Sequence, residues 1–243
     1  MKRVPIKPGV GVITTSGEDS TKPYVDTLEA HDGRVILLKT EMDPELDELW
    51  GILLTGGGDL NESTYDHVIS DAERCTLGKI ELNREAYELK ILQWAFEQDV
   101  PVLGICRGFQ MMNVFAGGIL IPDIPTWQES HSVSPCLAHR QKGDQTLATH
   151  DIALESGSRL QTLLGKVENI GVNTSHHQAL SKVGKGFQVS GRAPDGIIEG
   201  IEHPGKSFWV GVQFHPERLW KRYSVFSDLF RGFIAAAMRY SMR

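Results

Sequence analysis

The sequence predicts an α/β protein: a three-layer sandwich around a central, mostly parallel (mixed) sheet. Three observations carry that expectation. In the first half, short apolar or β-branched runs alternate with helical stretches four times, as in parallel sheets covered on both faces. A buried strand runs into Gly104-Ile-Cys-Arg-Gly108 and then a helix, the pattern of a nucleophile elbow. The second half carries short strands and a hairpin signal at Asp195-Gly196, which adds an antiparallel portion.

Val10 to Thr14 follows Gly9 and reads as the first strand. Tyr24 to His31 has helical spacing and stops at Asp32-Gly33. Val35 to Leu38 is a four-residue apolar run, short enough for a strand buried on both faces. Leu46 and Leu49 suggest a short helix, Ile52 to Leu54 a third strand, and Thr55 to Asp59 a glycine-rich turn. Leu60 to Thr76 is polar and irregular, and Leu77 to Gln98 reads as a long helix with a broad apolar stripe. Val102 to Ile105 is the next strand, and Arg107 to about Ala116 the helix stopped by Gly117-Gly118. Pro122 to Gly143, with three prolines, reads as loop. Strands are expected at Leu147 to Leu154, Phe187 to Ser190, Ile197 to Ile201 and Phe208 to Phe214. Tyr223 to Tyr240 closes the chain as an amphipathic helix. Its apolar face packs either internally or against a second subunit, which leaves a homodimer open. One domain spanning residues 1–243 is the simplest organisation.

The 25 basic and 31 acidic residues give a net charge of −6. That balance argues against a general nucleic-acid coat or an anionic-membrane binder. No run of about 18 apolar residues is present, so no membrane span is expected. Cys75, Cys106 and Cys136 are too few and too scattered for a disulfide framework, and none sits in CxxC spacing. Met1 to Gly9 lacks the apolar core of a signal peptide. A reducing, cytoplasmic setting is the expectation.

The stretch Val102 to Gln110 carries the most chemistry. A sharp strand-to-helix turn forces Cys106 into a strained conformation, and Gly104 and Gly108 remove side chains that would clash. The sulfur then lies at a helix N-terminus, where unpaired N–H groups and the helix dipole favour a thiolate. The Arg107 N–H, following the nucleophile, is placed to donate to an oxyanion. A buried structural cysteine is the commoner role for a lone Cys; the flanking glycines and the strand-to-helix context argue for the nucleophile. Nine histidines compete for the role of base. His215 stands at the end of the apolar run Phe208 to Phe214, before Pro216, with Glu217 near enough in sequence to turn back onto its imidazole. Adjacent His176 and His177 read as a substrate-pocket loop or a plain structural loop. No acidic partner has fitting spacing for a metal. His131, His139 and His150 are expected to face solvent. The Leu54 to Asp59 turn matches neither common phosphate-binding motif. It offers a backbone N–H beside Cys106 if the third strand and the elbow strand are neighbours.

In order, the blocks are LLTGGGDLN (53–61), NREAYELKIL (83–92), PVLGICRGFQMMNVFAGG (101–118), VNTSHHQAL (172–180), RAPDGIIEGIE (192–202) and GVQFHPE (211–217). Together they resemble the class I glutamine amidotransferase-like family, peptidase C26 type. Within it the chain is most similar to the γ-glutamyl-γ-aminobutyrate hydrolase group. The resemblance spans nearly the whole chain and implies that family's fold. It also implies a Cys106–His215–Glu217 triad and an oxyanion hole from the N–H groups of Gly57 and Arg107. Gln110, Asn173, Ser175, His176 and His177 match substrate-binding positions. The residues 59–76 depart from the family's usual spelling, and Glu85 stands where Asp is expected. The implied activity is hydrolysis of a γ-glutamyl amide, with no metal, no cofactor and a small-molecule substrate. A glutaminase subunit serving a synthetase, or a silent binding module, are the alternatives. The amine is left open.

Overall fold

The computed structural model describes residues 7–13, 18–40, 46–65 and 69–243. Thr14, the expected end of the first strand, and part of the expected N-terminal stretch lie outside them. The elements in the first half are β1 (Gly9–Ile13), α1 (Glu18–Ala30), β2 (Arg34–Leu38), β3 (Gly51–Leu54), α2 (Asp71–Arg74), α3 (Leu82–Gln98), β4 (Val102–Ile105) and α4 (Arg107–Phe115). The second half adds β5 (Ile119–Ile121), α5 (Ile124–Ser130), β6 (His150–Leu154), α6 (Arg159–Leu163), β7 (Asn169–Val172), β8 (Ala179–Lys182), β9 (Gln188–Arg192), β10 (Ile198–Glu202), β11 (Trp209–Val212), α7 (Pro216–Leu219) and α8 (Val225–Tyr240).

Nine strands form one sheet in the order β2-β1-β3-β4-β11-β10-β9-β6-β7. The first five run parallel, and the last four continue as antiparallel neighbours. Side chains alternate across the central strands. Leu53, Leu103, Ile105, Val210 and Val212 face one core with Tyr24 and Leu28 of α1 and Phe226, Leu229, Phe230 and Phe233 of α8. Ile52, Leu54, Val102 and Trp209 face the other, with Ile91 and Leu92 of α3 and Phe109 and Met112 of α4. The period-two alternation of strands whose two faces are both buried therefore produces the three layers. The apolar face of α8 is covered within the chain.

Several elements differ from expectation for local reasons. The long helix starts at Leu82 rather than Leu77, because the backbone before it is drawn out to meet the glycine turn: Asp59 N–H donates to the Lys79 carbonyl at 3.0 Å, and Asp59 pairs with Ile80. The helix α1 begins before Tyr24 and carries Pro23 inside it. The proline-rich stretch expected as loop contains α5. There Asp123 caps the helix by accepting from the Thr126 N–H at 3.0 Å, and Pro125 occupies the first turn, where its missing N–H costs nothing. The short strands β5, β7 and β8 were not anticipated. The Asp195-Gly196 turn does join two antiparallel strands, with Gly196 at φ 89°.

Candidate active site

Cys106 is the residue between β4 and α4, with φ 53° and ψ −106°. A non-glycine residue holds that conformation only where its surroundings over-determine it. The Cys106 N–H donates to the Val212 carbonyl at 2.8 Å, and its own carbonyl accepts from the Gln110 N–H at 3.1 Å. The glycines explain how the turn closes. A Cβ on Gly108 would lie 2.3 Å from the Leu54 carbonyl oxygen, and one on Gly104 2.5 Å from Met112 Sδ. The strand β3 lies directly beside β4, so the glycine turn that follows it ends next to Cys106.

His215 leaves β11, the other neighbour of β4, and opens α7. Its Nδ1 lies 2.7 Å from Glu217 Oε1, and the charge of Cys106 acts on the same ring. The Glu217 side chain is fully buried, with Arg218 Nε at 3.4 Å from the same oxygen. Burial alone would push His215 down; the charges of Glu217 and Cys106, with their hydrogen bonds, outweigh it and raise the ring to about 10. The three expected triad residues are thus brought together in space. Tyr24 of α1 stands over them. Its hydroxyl accepts from the Gly56 N–H at 3.0 Å. Burial first, then the charges of Glu217 and Cys106, push its pKa well above 10.

The glycine turn is braced from behind by α3. Arg84, itself buried, donates to the Gly56 carbonyl at 3.1 Å and to the Thr55 carbonyl and hydroxyl at 3.0 Å. It is held by Glu88 Oε1 at 2.8 Å, whose other oxygen takes Arg107 Nη1 at 2.5 Å. A trans peptide points its C=O and N–H in opposite directions. With the Gly56 carbonyl turned onto Arg84, the N–H of Gly57 in the same peptide points away from Arg84. Gly57, Arg107 and Cys106 all line one cavity of about 340 Å³.

That cavity is lined by charges of both signs: Asp59, Lys79 and Arg140 share it with Gln110, Ser175, His176 and His177. His177 bridges two carboxylates, Asp59 Oδ1 at 2.9 Å and Asp123 Oδ1 at 3.1 Å. The hydrogen bond to Asp59, then the charges of both partners, hold His177 above its ordinary pKa against the effect of burial. Gln110 Nε2 is engaged by the Gln178 carbonyl and Gln213 Oε1, both at 3.0 Å. Asn173 differs from expectation. It is fully buried and brackets His215, accepting from the His215 N–H at 2.8 Å and donating to the His215 carbonyl at 3.1 Å. It acts on the position of His215, and it is not among the residues lining the cavity.

The histidine expectations need a larger correction. His131 is exposed, but His139 is buried and His150 has a largely covered side chain; both lie against the buried Glu199, as does His176. The acidic partners of the paired histidines are close in space and distant in sequence, so spacing could not reveal them. Tyr24, Arg84, Glu88, Asp123 and Glu199 were all missed. The legible signal for Glu199 was a glutamate inside the apolar run Ile197 to Ile201.

The peptidase C26 family model matches residues 10–217. The chain belongs to the peptidase C26 family. It is 37% identical over 207 residues to "Putative glutamine amidotransferase Rv2859c" of Mycobacterium tuberculosis, covering 80% of this chain and 61% of that protein. It is 33% identical over 159 residues to "Gamma-glutamyl-gamma-aminobutyrate hydrolase PuuD" of Escherichia coli, covering 65% of this chain and 61% of that protein. The matched segment therefore spans about three-fifths of each of these two relatives. A Thermoplasma acidophilum structure described as a "putative gmp synthase subunit a protein" superposes with a TM-score of 0.70 at 18% identity, covering 98% of both chains. This peptidase C26 member thus has the class I glutamine amidotransferase fold. Among the described residues no helix is long and apolar enough to cross a membrane.

Proposed function

We propose that this chain is a cysteine-dependent hydrolase of γ-glutamyl amides. The observation that carries the reading is the Cys106–His215–Glu217 constellation on a strained elbow, opening into a cavity charged with both signs. A γ-glutamyl group presents an α-ammonium and an α-carboxylate; Asp59 suits the first, Arg140 and Lys79 the second.

The Cys106 thiolate adds to the γ-carbonyl, forming the C–S bond and placing negative charge on the carbonyl oxygen. The N–H groups of Gly57 and Arg107 receive that oxyanion. His215, as imidazolium, gives its Nε2 proton to the leaving nitrogen as the C–N bond breaks, and the amine departs. The neutral ring then takes a proton from water, whose oxygen attacks the γ-glutamyl thioester. Collapse of that adduct breaks the C–S bond, frees glutamate and regenerates the thiolate–imidazolium pair. Glu217 keeps the proton on Nδ1, so that Nε2 faces the chemistry.

The relatives' names favour two uses of such a site, a free-standing γ-glutamyl amine hydrolase and a glutaminase serving a synthetase. Glutamate release by the purified protein alone separates them. Cys106-dependent release from γ-glutamyl-γ-aminobutyrate or another γ-glutamyl amine, well above that from glutamine, supports the hydrolase. Release from glutamine only, or only with a synthetase added, assigns the site to amide-nitrogen delivery. Undiminished release by Cys106→Ala removes the nucleophile.

A further inference from the structure

Away from the triad, three histidines converge on one buried carboxylate. Glu199 lies in β10 at a register irregularity between Ile198 and Gly200, and its side chain is fully buried. Such irregularities re-aim side chains. Around its Oε1 stand His139 Nδ1 at 3.3 Å, His150 Nε2 at 3.4 Å and His176 Nε2 at 3.5 Å. Among the described residues, none of these nitrogens, and neither oxygen of Glu199, has a hydrogen-bond partner. The ligand atoms of His139, His176 and Glu199 all lie within 4.8 Å of one another. Five buried polar atoms without partners around one point is an arrangement that folded proteins avoid.

The outer hydrogen bonds decide where the ring lone pairs point. His176 Nδ1 lies 3.0 Å from the Gln178 carbonyl, which can only accept, so that nitrogen carries the proton. His139 Nε2 lies 2.8 Å from Asp195 Oδ2, which also takes Gln128 Nε2 at 2.9 Å. In the neutral rings the lone pairs of His176 Nε2 and His139 Nδ1 then face the Glu199 carboxylate. Lone pair against carboxylate is repulsive unless a proton or a metal cation lies between them. A carbonyl and a carboxylate behind the imidazoles are also the usual outer partners of metal-bound histidines. The distances from Glu199 Oε1 suit one class of ion: tetrahedral ligand atoms at about 2.0–2.1 Å from zinc lie about 3.3–3.4 Å apart. Imidazoles with one carboxylate suit zinc over magnesium or calcium, which take oxygen ligands.

We propose that His139, His176 and Glu199 are the protein ligands of a zinc ion, with His150 beside them at 3.4 Å from Glu199 Oε1. The site ties together the segment before β6, the pocket-lining segment 173–178 and β10. Anchoring His176 would hold its neighbours Ser175 and His177 against the cavity. The inference does not depend on the reaction proposed above.

The test uses the full chain with its thiols blocked by iodoacetamide, so that Cys75, Cys106 and Cys136 do not compete. After stripping with a chelator, the protein is titrated with zinc chloride, with magnesium chloride as control. Stoichiometric zinc uptake is expected, with a rise in Tm of roughly 5 °C or more. Cobalt(II) should give the visible absorption of a tetrahedral site without a thiolate charge-transfer band. His139→Ala and Glu199→Gln should lose both uptake and Tm rise. Should either variant fail to fold, the wild-type titration and cobalt spectrum decide. No zinc uptake, uptake without a Tm rise, a thiolate band, or undiminished zinc binding in folded variants would overturn the site.

Discussion

At Glu217 one carboxylate oxygen holds the His215 ring while the other, also buried, has no hydrogen-bond partner among the described residues. The residue's contribution is therefore concentrated on His215. The ring's folded pKa of about 10 stands above its ordinary 6.5. Because the shift is upward, the stabilisation is complete below pH 6.5, declines as pH rises from there, and is gone above about pH 10. Glu217→Gln removes the largest charge favouring the imidazolium. The alkaline limb of the kcat/KM profile should move to lower pH, and kcat/KM should fall by about 10²–10⁴-fold. A pH–rate series on both proteins checks this, and an unmoved limb would detach Glu217 from the base. The decline of Tm between pH 6.5 and 10 should also be shallower in the variant, as thermal melts across that range would show. The meeting of Cys106, His215 and Glu217 was legible in the sequence because the elbow and the His-Pro-Glu run each have short-range spelling. Tyr24 was not, since its role depends on α1 reaching across to Gly56.

Among the elements, α3 and the elbow set the geometry of the glycine turn. Arg84 grips the Thr55 and Gly56 carbonyls while Glu88 joins it to Arg107. Arg84→Met leaves those carbonyls without their donor and should lower kcat by up to about 10²-fold, with a smaller change in KM. Breaking the buried pair should also cost roughly 3 kcal/mol of stability, measured by urea unfolding. Lys in place of Arg84 should recover stability more than rate, because a single nitrogen cannot reach the three groups that Arg84 meets through Nε, Nη1 and Nη2. Equal losses in kcat and stability-matched controls would reduce Arg84 to a structural residue. At the elbow, a Gly108→Ala Cβ has the Leu54 carbonyl oxygen in its way at 2.3 Å. It should cost about 1–3 kcal/mol and most of the activity together, by melts and turnover on the same preparation. Parallel strand–helix units were readable from local periodicity. The start of α3 was not, because the backbone of residues 77–81 is claimed by the glycine turn, a tertiary pairing that overrides an apolar stripe. The helix α5 was hidden behind Pro125, which breaks a helix interior but suits its first turn.

For the whole molecule, two cores on opposite faces of one sheet explain why a buried polar site can be tolerated at its centre. The closing helix α8 seals one face: Phe233 is fully buried, and Gly51 exists without a side chain where its ring packs. Phe233→Ala should cost about 3–5 kcal/mol by denaturant unfolding without changing the shape of the pH–rate profile. The sheet's parallel half places Cys106, His215 and the glycine turn at the C-terminal ends of three adjacent strands, β4, β11 and β3. That convergence follows from strand order, which the sequence suggested for β3 and β4 but did not specify for β11. The antiparallel half brings His139, His150, His176 and Glu199 together across 61 residues of chain; no linear spacing encodes such a cluster.

The central claim is that Cys106 carries a γ-glutamyl thioester during turnover. The most direct measurement is intact-protein and peptide mass spectrometry after acid quench of the protein with a γ-glutamyl amide in excess. The account predicts one γ-glutamyl adduct, located on Cys106, labile to hydroxylamine and absent in Cys106→Ala. Sustained glutamate release with no adduct, or with an adduct on another residue, would contradict it.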